Sequence, residues 1–134
     1  MRHFVADNHL DSAVTFTGYV DCVQDYLNAA DVFVFPSEFE SQGLAPLEAM
    51  ASGIPVIASR IPGVMDMITD GTNGRLVDTH DEAAWIQAMH DVMTEADITK
   101  AQVSQALKTV ADYFSIAAVT DQHLALFKRL TQVG

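Results

Sequence analysis

Short apolar runs alternate with stretches of helical periodicity along the chain as far as about residue 78. Four of these runs have the length and composition of β-strands: 14–17, 32–35, 55–58 and 75–78. The run at 32–35 is apolar throughout and ends at Pro36, which predicts a strand covered on both faces, as in a parallel sheet. The alternation of strands and helices therefore predicts an α/β fold with a mainly parallel sheet.

Helices are predicted between these strands. Asp21 is expected to cap a helix that runs to Ala29 or Ala30, and a second helix over 46–52 ends at Gly53. One or two helical turns are expected near residues 64–68, before a turn rich in glycine.

The remainder of the chain predicts three helices. Thr79 and Glu82 have the spacing of a capping box, and Ser115 is expected to cap the last helix. The apolar positions expected to face inward are, helix by helix, Trp85, Ile86, Met89, Val92 and Met93; Val103, Ala106, Leu107, Val110 and Phe114; and Ile116, Val119, Phe127 and Leu130. We therefore expect one partial domain over residues 1–134, with an α/β part at about 12–78 and a helical part at about 79–132.

Composition narrows the classes of function. The net charge of -11 speaks against a nucleic-acid-binding face, which would need a basic stripe. The single cysteine, Cys22, cannot form an internal disulfide, so a cytoplasmic setting and an ordinary thiol are expected. The five histidines are scattered without metal-ligand spacing, and His123 and the methionines Met65, Met67 and Met93 are expected to pack in the core.

The stretch from Phe35 to Ile57 carries the candidate chemistry. It reads as a strand, a polar loop, a short helix and a second strand, with Glu40 in the loop and Glu48 in the helix. Gly43 allows a ligand to approach the backbone at the helix start, where N–H groups without helical partners attract anions. The two carboxylates are suited to accepting hydrogen bonds from hydroxyl groups.

Each of these features also has a structural explanation. Most helix starts bind only water, and a carboxylate such as Glu48 is stabilised near a helix N-terminus by the helix dipole. Loop carboxylates such as Glu40 and Glu38 are usually solvated. From these residues alone, a ligand site and an ordinary strand-to-helix connection both remain open.

Taken together, residues 14–78 resemble the C-terminal, donor-binding domain of family 4 retaining glycosyltransferases of GT-B architecture (glycosyl transferases group 1). The matching segments are Val14–Gly18, Ala30–Ser37, the E-x7-E motif Glu40–Glu48 with its continuation to Val56, the turn Asp70–Gly74, and the ending that begins at Phe114. The resemblance implies a partial Rossmann-like sheet with helices, closed by three C-terminal helices.

The resemblance also implies a role for each residue of the motif. Glu40 would face the transferred sugar as the catalytic residue, and Glu48 would hold the ribose hydroxyls of the nucleotide. Ser41, Gln42, Gly43 and Leu44 would bind the diphosphate or the sugar through their backbone N–H groups. The partner implied is a nucleoside-diphosphate sugar carrying a hexose, with no cofactor and no metal. The acceptor, a glycan, a lipid or a small molecule, is left open.

The sequence departs from the family pattern in several places. The resemblance leads us to expect that the acceptor domain, the first two strands of the donor domain and their basic pair are absent, and Arg60 and Arg75 do not occupy the positions of that pair. Pro62, Met65 and Asp66 differ from the residues usual after strand 55–58. The absent strands would lie centrally, between strands 14–17 and 32–35.

Two functions follow from this interpretation. The first is the donor-binding part of a retaining glycosyltransferase, inactive as an isolated chain, and cytoplasmic or held at the inner face of a membrane when complete. The alternative is a non-catalytic nucleotide-sugar-binding or oligomerising module, which would act with a separate acceptor-domain chain or as a homo-oligomer.

Overall fold

The computed structural model describes residues 1–131 and contains a three-stranded parallel sheet in the order β1–β2–β3. The strands are β1 (Phe33–Phe35), β2 (Val56–Ser59) and β3 (Arg75–Val77). Phe33 lies opposite Val56 in the first pair, and Ile57 lies opposite Arg75 in the second. The predicted α/β fold with a parallel sheet is confirmed.

Seven α-helices and one π-helical segment are described within residues 1–131. They are α1 (Arg2–Asp7), α2 (Val23–Ala29), α3 (Leu44–Ala51), α4 (Pro62–Met65), α5 (Glu82–Thr94), α6 (Ala96–Thr109), the π segment (Val110–Phe114) and α7 (Ile116–Thr131). The helices close the chain after β3, as the sequence predicts.

The sheet is covered on both faces, which explains why its strands are mainly apolar. On one face, Val56 and Ala58 of β2 pack with Ala49 and Met50 of α3 and with α6. On the other, Ile57 packs with the α5 residues Trp85, Ala88 and Val92. All four residues of β2 are buried, so this central strand anchors the fold.

The predicted strand 14–17 is wrong. Residues 14–18 have no regular structure, and within residues 1–131 no strand lies beside them. A strand is stabilised by hydrogen bonds to a neighbour, so a strand-like sequence without a neighbour stays irregular. Two smaller differences lie nearby: α1 was not predicted, and α2 is capped at Cys22 rather than at Asp21.

The capping box predicted at Thr79 is also wrong. The N-cap of α5 is Asp81, whose Oδ1 accepts a hydrogen bond from the N–H of Ala84 at 3.0 Å. Ile86 and Met93, predicted to face inward, are 67% and 75% exposed. Each residue advances about 100° around a helix, which places both about a quarter-turn from the buried stripe through Trp85.

Helix α7 differs most from its predicted burial. It contains no buried residue, and Ile116, Phe127 and Leu130 are 60% or more exposed. His123 is exposed as well, and its Nδ1 lies 2.8 Å from the carbonyl of Val119, one turn earlier in the helix. The reason is that α7 packs mainly against the adjoining π segment, and no layer formed by residues 1–131 covers its apolar face.

The expectations for the methionines and for the single cysteine can each be compared with the structure. Met67 is buried, as predicted for a core methionine, but Met65 is 51% exposed, and Met93 is also exposed rather than in the core. Cys22 is a free, exposed thiol. In the part of the chain that the structure describes, no helix is both long enough and apolar enough to cross a bilayer.

Candidate functional site

The candidate site lies where the chain leaves the carboxyl ends of β1 and β2. In parallel α/β sheets, the loops at this edge are the usual location of ligands. The Glu40 loop (residues 36–43) follows β1 and leads into α3, and α4 follows β2 a few residues after its end. The topology therefore brings the Glu40 loop and α4 to the same edge of the sheet.

Glu40 is held by its own loop. One oxygen of its carboxylate, Oε1, accepts hydrogen bonds from the N–H of Ser41 at 3.0 Å and from the N–H of Gln42 at 3.4 Å. Two successive backbone N–H groups thus point at one anionic oxygen. The anionic group that these two donors hold is the carboxylate of Glu40 itself.

The start of α3 leaves further N–H groups available. The helix begins at Leu44, two residues before the predicted start, and its N-cap is Gly43, which provides no side-chain cap. The first helical hydrogen bond runs from the N–H of Leu47 to the carbonyl of Gly43 at 3.3 Å. The N–H groups of Leu44 and Ala45 precede that bond, and Pro46 has none, so two donors face outward at the positive end of the dipole.

Glu48 lies one turn after the start of α3 on the same side of the helix as Leu44. It is exposed, and its carboxylate makes no hydrogen bond with any of residues 1–131. Ser41, Gln42 and Leu44 are exposed as well, whereas Gly43 is buried. The structure joins Glu40, Ser41 and Gln42 by hydrogen bonds and leaves Glu48 as a separate, available carboxylate.

Two contacts that support this loop from below were not predicted from the sequence. A methyl group added to Gly43 would lie 3.0 Å from the Cε of Met67, a core residue. One added to Gly63 in α4 would overlap the carbonyl oxygen of Glu40 and lie 2.9 Å from its carbonyl carbon. The signal for Gly63 in the sequence is weak, because a glycine beside a proline indicates only a turn.

A second polar region lies at the outer edge of β3. The guanidinium of Arg60 donates to Asp70 at 2.6 Å and to the carbonyl of Leu76 at 2.8 Å, and Asp70 accepts from the N–H of Leu76 at 2.9 Å. Arg75 forms an ion pair with Asp91 at 2.6 Å. Both arginines are therefore paired within the chain, and the Arg60–Asp70 pair satisfies backbone groups on the free edge of β3.

The environment of Asp70 shifts its acidity. Partial burial by itself would raise the pKa of this carboxyl group, but the hydrogen bond from Leu76 and the charge of Arg60 outweigh burial and leave the pKa below its ordinary value. A concavity of about 400 Å³ adjoins this region and is lined by both ion pairs. Because its charges are satisfied within the chain, we do not assign the candidate site to this concavity.

Among residues 1–131 there is no group of three or more histidine, cysteine, aspartate or glutamate side chains placed to hold a metal ion. The groups available to a ligand at the Glu40 loop and the start of α3 include the carboxylates of Glu40 and Glu48 and backbone N–H donors, and residues 35–57 contain no lysine or arginine.

The fold and the position of the site define an α/β domain that offers backbone donors and carboxylates at the carboxyl edge of a parallel sheet. Residues 2–95 match the family model described as glycosyl transferases group 1, and the chain belongs to this family. The structural neighbours are GT-B glycosyltransferases, so the predicted partial Rossmann-like fold is confirmed.

Three known proteins illustrate the similarity. The D-inositol 3-phosphate glycosyltransferase of Paenarthrobacter aurescens is 35% identical over 90% of this chain and 30% of its own length. Sucrose-phosphate synthase of Thermosynechococcus elongatus is 30% identical with a TM-score of 0.86, over 99% of this chain and 34% of its own. Anabaena HepE, solved in complex with UDP-glucose, is 21% identical with a TM-score of 0.87, over 96% of this chain and 35% of its own. The chain thus spans about a third of the length of these proteins.

Proposed function

We propose that this chain is the donor-binding part of a retaining glycosyltransferase that moves a hexosyl group from a nucleoside-diphosphate sugar to an acceptor. Membership of the group 1 family supports glycosyl transfer. The HepE complex with UDP-glucose supports a nucleotide sugar as the ligand of this fold. We assign donor binding to this chain and transfer itself to a complete enzyme, because the chain spans about a third of its relatives.

The observation that carries the proposal is the arrangement of the Glu40 loop at the start of α3. Ser41 and Gln42 direct their N–H groups at one anionic oxygen, and α3 begins without a side-chain cap. A diphosphate or a sugar hydroxyl would take up such donors at little cost in reorganisation. Glu48, exposed one turn further on, is suited to the vicinal hydroxyls of a ribose.

In this proposal, backbone N–H groups provide the electrostatic stabilisation. When the bond between the sugar and the diphosphate breaks, negative charge grows on the leaving diphosphate. The N–H groups of Gln42, Gly43 and Leu44, together with the positive end of α3, would stabilise that charge, and such preorganised donors are a large source of catalysis. Glu40 would face the sugar near the reaction centre. The proposal needs no metal ion for donor binding.

The carboxylate of Glu40 already occupies the N–H groups of Ser41 and Gln42, which sets a condition for the binding of a nucleotide sugar. A donor that uses these N–H groups must share them with the carboxylate or displace it. The carboxylate released in this way would be free to approach the sugar. The names of the relatives differ in the acceptor or product they mention, so the proposal is confined to the donor side.

The experiment is a binding series with UDP, GDP and ADP and with their glucose conjugates, read by calorimetry and by thermal unfolding of the 134-residue chain. We expect one nucleotide series to bind and to raise the unfolding temperature, because a ligand that binds only the folded state stabilises it. If no nucleotide or nucleotide sugar binds a cooperatively folded chain, the proposal is wrong.

A second candidate is a non-catalytic nucleotide-sugar-binding or oligomerising module that acts with a separate chain. The observation that favours it is β1, which pairs with β2 on one side and, within residues 1–131, with no strand on the other. An open edge can accept a strand from another chain. Sedimentation of the chain alone tests the self-association form, which predicts a dimer or larger species and is contradicted by a monomer at all concentrations.

A further inference from the structure

Helix α4 approaches the Glu40 loop more closely than any side chain at position 63 would allow. A methyl group built on Gly63 would overlap the carbonyl oxygen of Glu40 and would lie 2.9 Å and 3.0 Å from the carbonyl carbons of Glu40 and Ser41. Non-bonded carbon atoms pack at about 3.5–4.0 Å. Only glycine permits this contact with the loop in its present position.

The loop has little else to fix its position. Within the described residues, the hydrogen bonds of residues 36–42 stay inside the loop: Ser37 Oγ donates to the carbonyl of Phe39, and Ser41 and Gln42 donate to Glu40. These bonds set the shape of the loop but not its place on the sheet. Its place is set by packing against α4 and, at Gly43, against Met67.

Helix α4 is held in place by core packing more strongly than the Glu40 loop is. Its N-cap Ile61 and its residue Val64 are buried in the main core, and Val64 is 0% exposed. Ser41 and Gln42, by contrast, are exposed. A side chain at position 63 would therefore push the Glu40 loop outward rather than move α4, because moving α4 would open the core.

We propose that Gly63 is a positioning residue of the donor site, whose missing side chain lets the Glu40 loop settle on α4 and so sets where Glu40 and the N–H groups of Ser41 and Gln42 lie. This inference rests on the proposed function for its ligand, but its geometric part does not. It gives α4 a role in the site in addition to the roles proposed for Glu40 and Glu48.

The geometric part is tested by nuclear magnetic resonance on the full chain without ligand. In the wild-type protein, we expect a nuclear Overhauser effect between a Gly63 Hα and the amide proton of Ser41. We expect Gly63→Ala to shift the Ser41 and Gln42 amides strongly towards their positions in Glu40→Gln, which removes the acceptor charge. Absence of the wild-type contact, or unchanged Ser41 and Gln42 amides in Gly63→Ala, would overturn the proposal.

The matched control is Gly74→Ala at the opposite end of the sheet. Its methyl group would lie 3.1 Å from the carbonyl oxygen of Val56 and 3.1 Å from Ile68, so it disturbs a buried glycine without approaching the loop. We expect this variant to unfold at a lower temperature with its Ser41 and Gln42 amides unchanged. Equal shifts of these amides in both variants would reduce Gly63 to a general stability effect and overturn the proposal.

The functional part uses UDP-glucose or whichever nucleotide sugar the wild-type chain binds. We expect at least about tenfold weaker binding by Gly63→Ala, the scale of one lost charged hydrogen bond, and unchanged binding by Gly74→Ala below its unfolding transition. Displaced amides with undiminished affinity would overturn the role in donor binding. If the wild-type chain binds no nucleotide sugar, the proposed function fails, and the amide measurements still decide whether Gly63 positions the loop. If Gly63→Ala does not fold, the wild-type Overhauser measurement decides it.

Discussion

The Glu40 loop (residues 36–43) and the turn at residues 69–74, here called the Asn73 turn, are built from the same kinds of residue. Both contain glycine, hydroxyl and acidic side chains, and both connect elements of one sheet. In the Asn73 turn, side chains bond to residues outside the turn: Asn73 to Met67 and to Thr109 of α6, and Asp70 to Arg60. In the Glu40 loop, the side-chain hydrogen bonds that the structure describes for residues 1–131 join only close neighbours in the sequence.

This difference in hydrogen-bond partners distinguishes polar side chains that stabilise the fold from those that remain available to a ligand. A polar side chain whose partners are supplied by the chain contributes to stability, and leaving one of those partners unmatched is costly. A polar side chain without such partners contributes little to stability and remains available to a ligand. By this criterion the Asn73 turn is structural, and Glu48, whose carboxylate makes no hydrogen bond with any of residues 1–131, remains available to a ligand. The carboxylate of Glu40 bonds within its own loop, to Ser41 and Gln42, and so does not tie that loop to the rest of the fold.

The largest expected effect is on the Asn73 turn. The buried amide of Asn73 accepts from the N–H of Thr69 at 2.7 Å and donates to the carbonyl of Met67 at 3.0 Å. We expect Asn73→Ala to lower the free energy of unfolding by about 2–4 kcal/mol, because both groups lose a buried partner. Urea unfolding measures it. Thr72→Ala, at an exposed neighbour, should change stability by less than about 0.5 kcal/mol, and a similar small loss for Asn73→Ala would erase the contrast between the two loops.

Glu48 should show the reverse pattern. Glu48→Gln is expected to leave stability unchanged within about 0.5 kcal/mol and to weaken binding of UDP and of UDP-glucose alike by about 1.5–3 kcal/mol, the scale of a lost charged hydrogen bond to the ribose. Calorimetric titration measures both ligands. Glu38→Gln is the matched control, since it removes the same charge from an exposed position of the loop. An equal loss in the control would point to overall charge rather than to a contact.

Glu40 should discriminate between the two ligands. Because Glu40 is assigned to the sugar, Glu40→Gln is expected to weaken UDP-glucose binding by about 1 kcal/mol relative to UDP. The quantity to compare is the ratio of the two dissociation constants in the variant and in the wild type. An unchanged ratio would show that Glu40 does not interact with the sugar.

The smallest expected effect is the pH dependence of Asp70. Its pKa is lowered in the folded protein, so its contribution to stability is complete above the ordinary carboxyl pKa of about 4 and is lost as the pH falls through the lowered value. Its side chain is 42% exposed, so solvent screening keeps the effect small. Unfolding of the wild type and of Asp70→Asn should differ more at neutral pH than in acid below both pKa values; a difference independent of pH would contradict this assignment.

Much of the fold could be predicted because local sequence determines it. The run at 55–58 is largely buried, the run at 32–35 is half-buried with packing on both faces, and their apolar composition predicts this from the sequence alone. The failures at residues 14–17 and in α7 have one cause: strand pairing and helix burial depend on neighbours that local patterns do not contain. Phe127 and Leu130 form an apolar stripe of the expected kind, but no element of residues 1–131 covers it.

The candidate site could be predicted only in outline. Glu40, Glu48 and the glycine at the helix start can be selected from the sequence by their residue types and by the resemblance to a family. The hydrogen bonds from Ser41 and Gln42 to Glu40 depend on loop geometry, and the contact of Gly63 with Glu40 joins residues 23 positions apart. The ion pair of Arg60 with Asp70 and the absence of a partner for the Glu48 carboxylate among residues 1–131 cannot be predicted from the sequence, because both depend on which residues the fold brings close.

The most direct test of the account is a titration of the isotopically labelled chain with UDP-glucose, followed amide by amide. If the Glu40 loop and the start of α3 form the donor site, the largest changes will fall on Ser41, Gln42, Gly43 and Leu44. The Asn73 turn will change little. Changes centred on the concavity beside Arg60 and Arg75, or no binding by a folded chain to any nucleotide sugar of the UDP, GDP and ADP series, would contradict it.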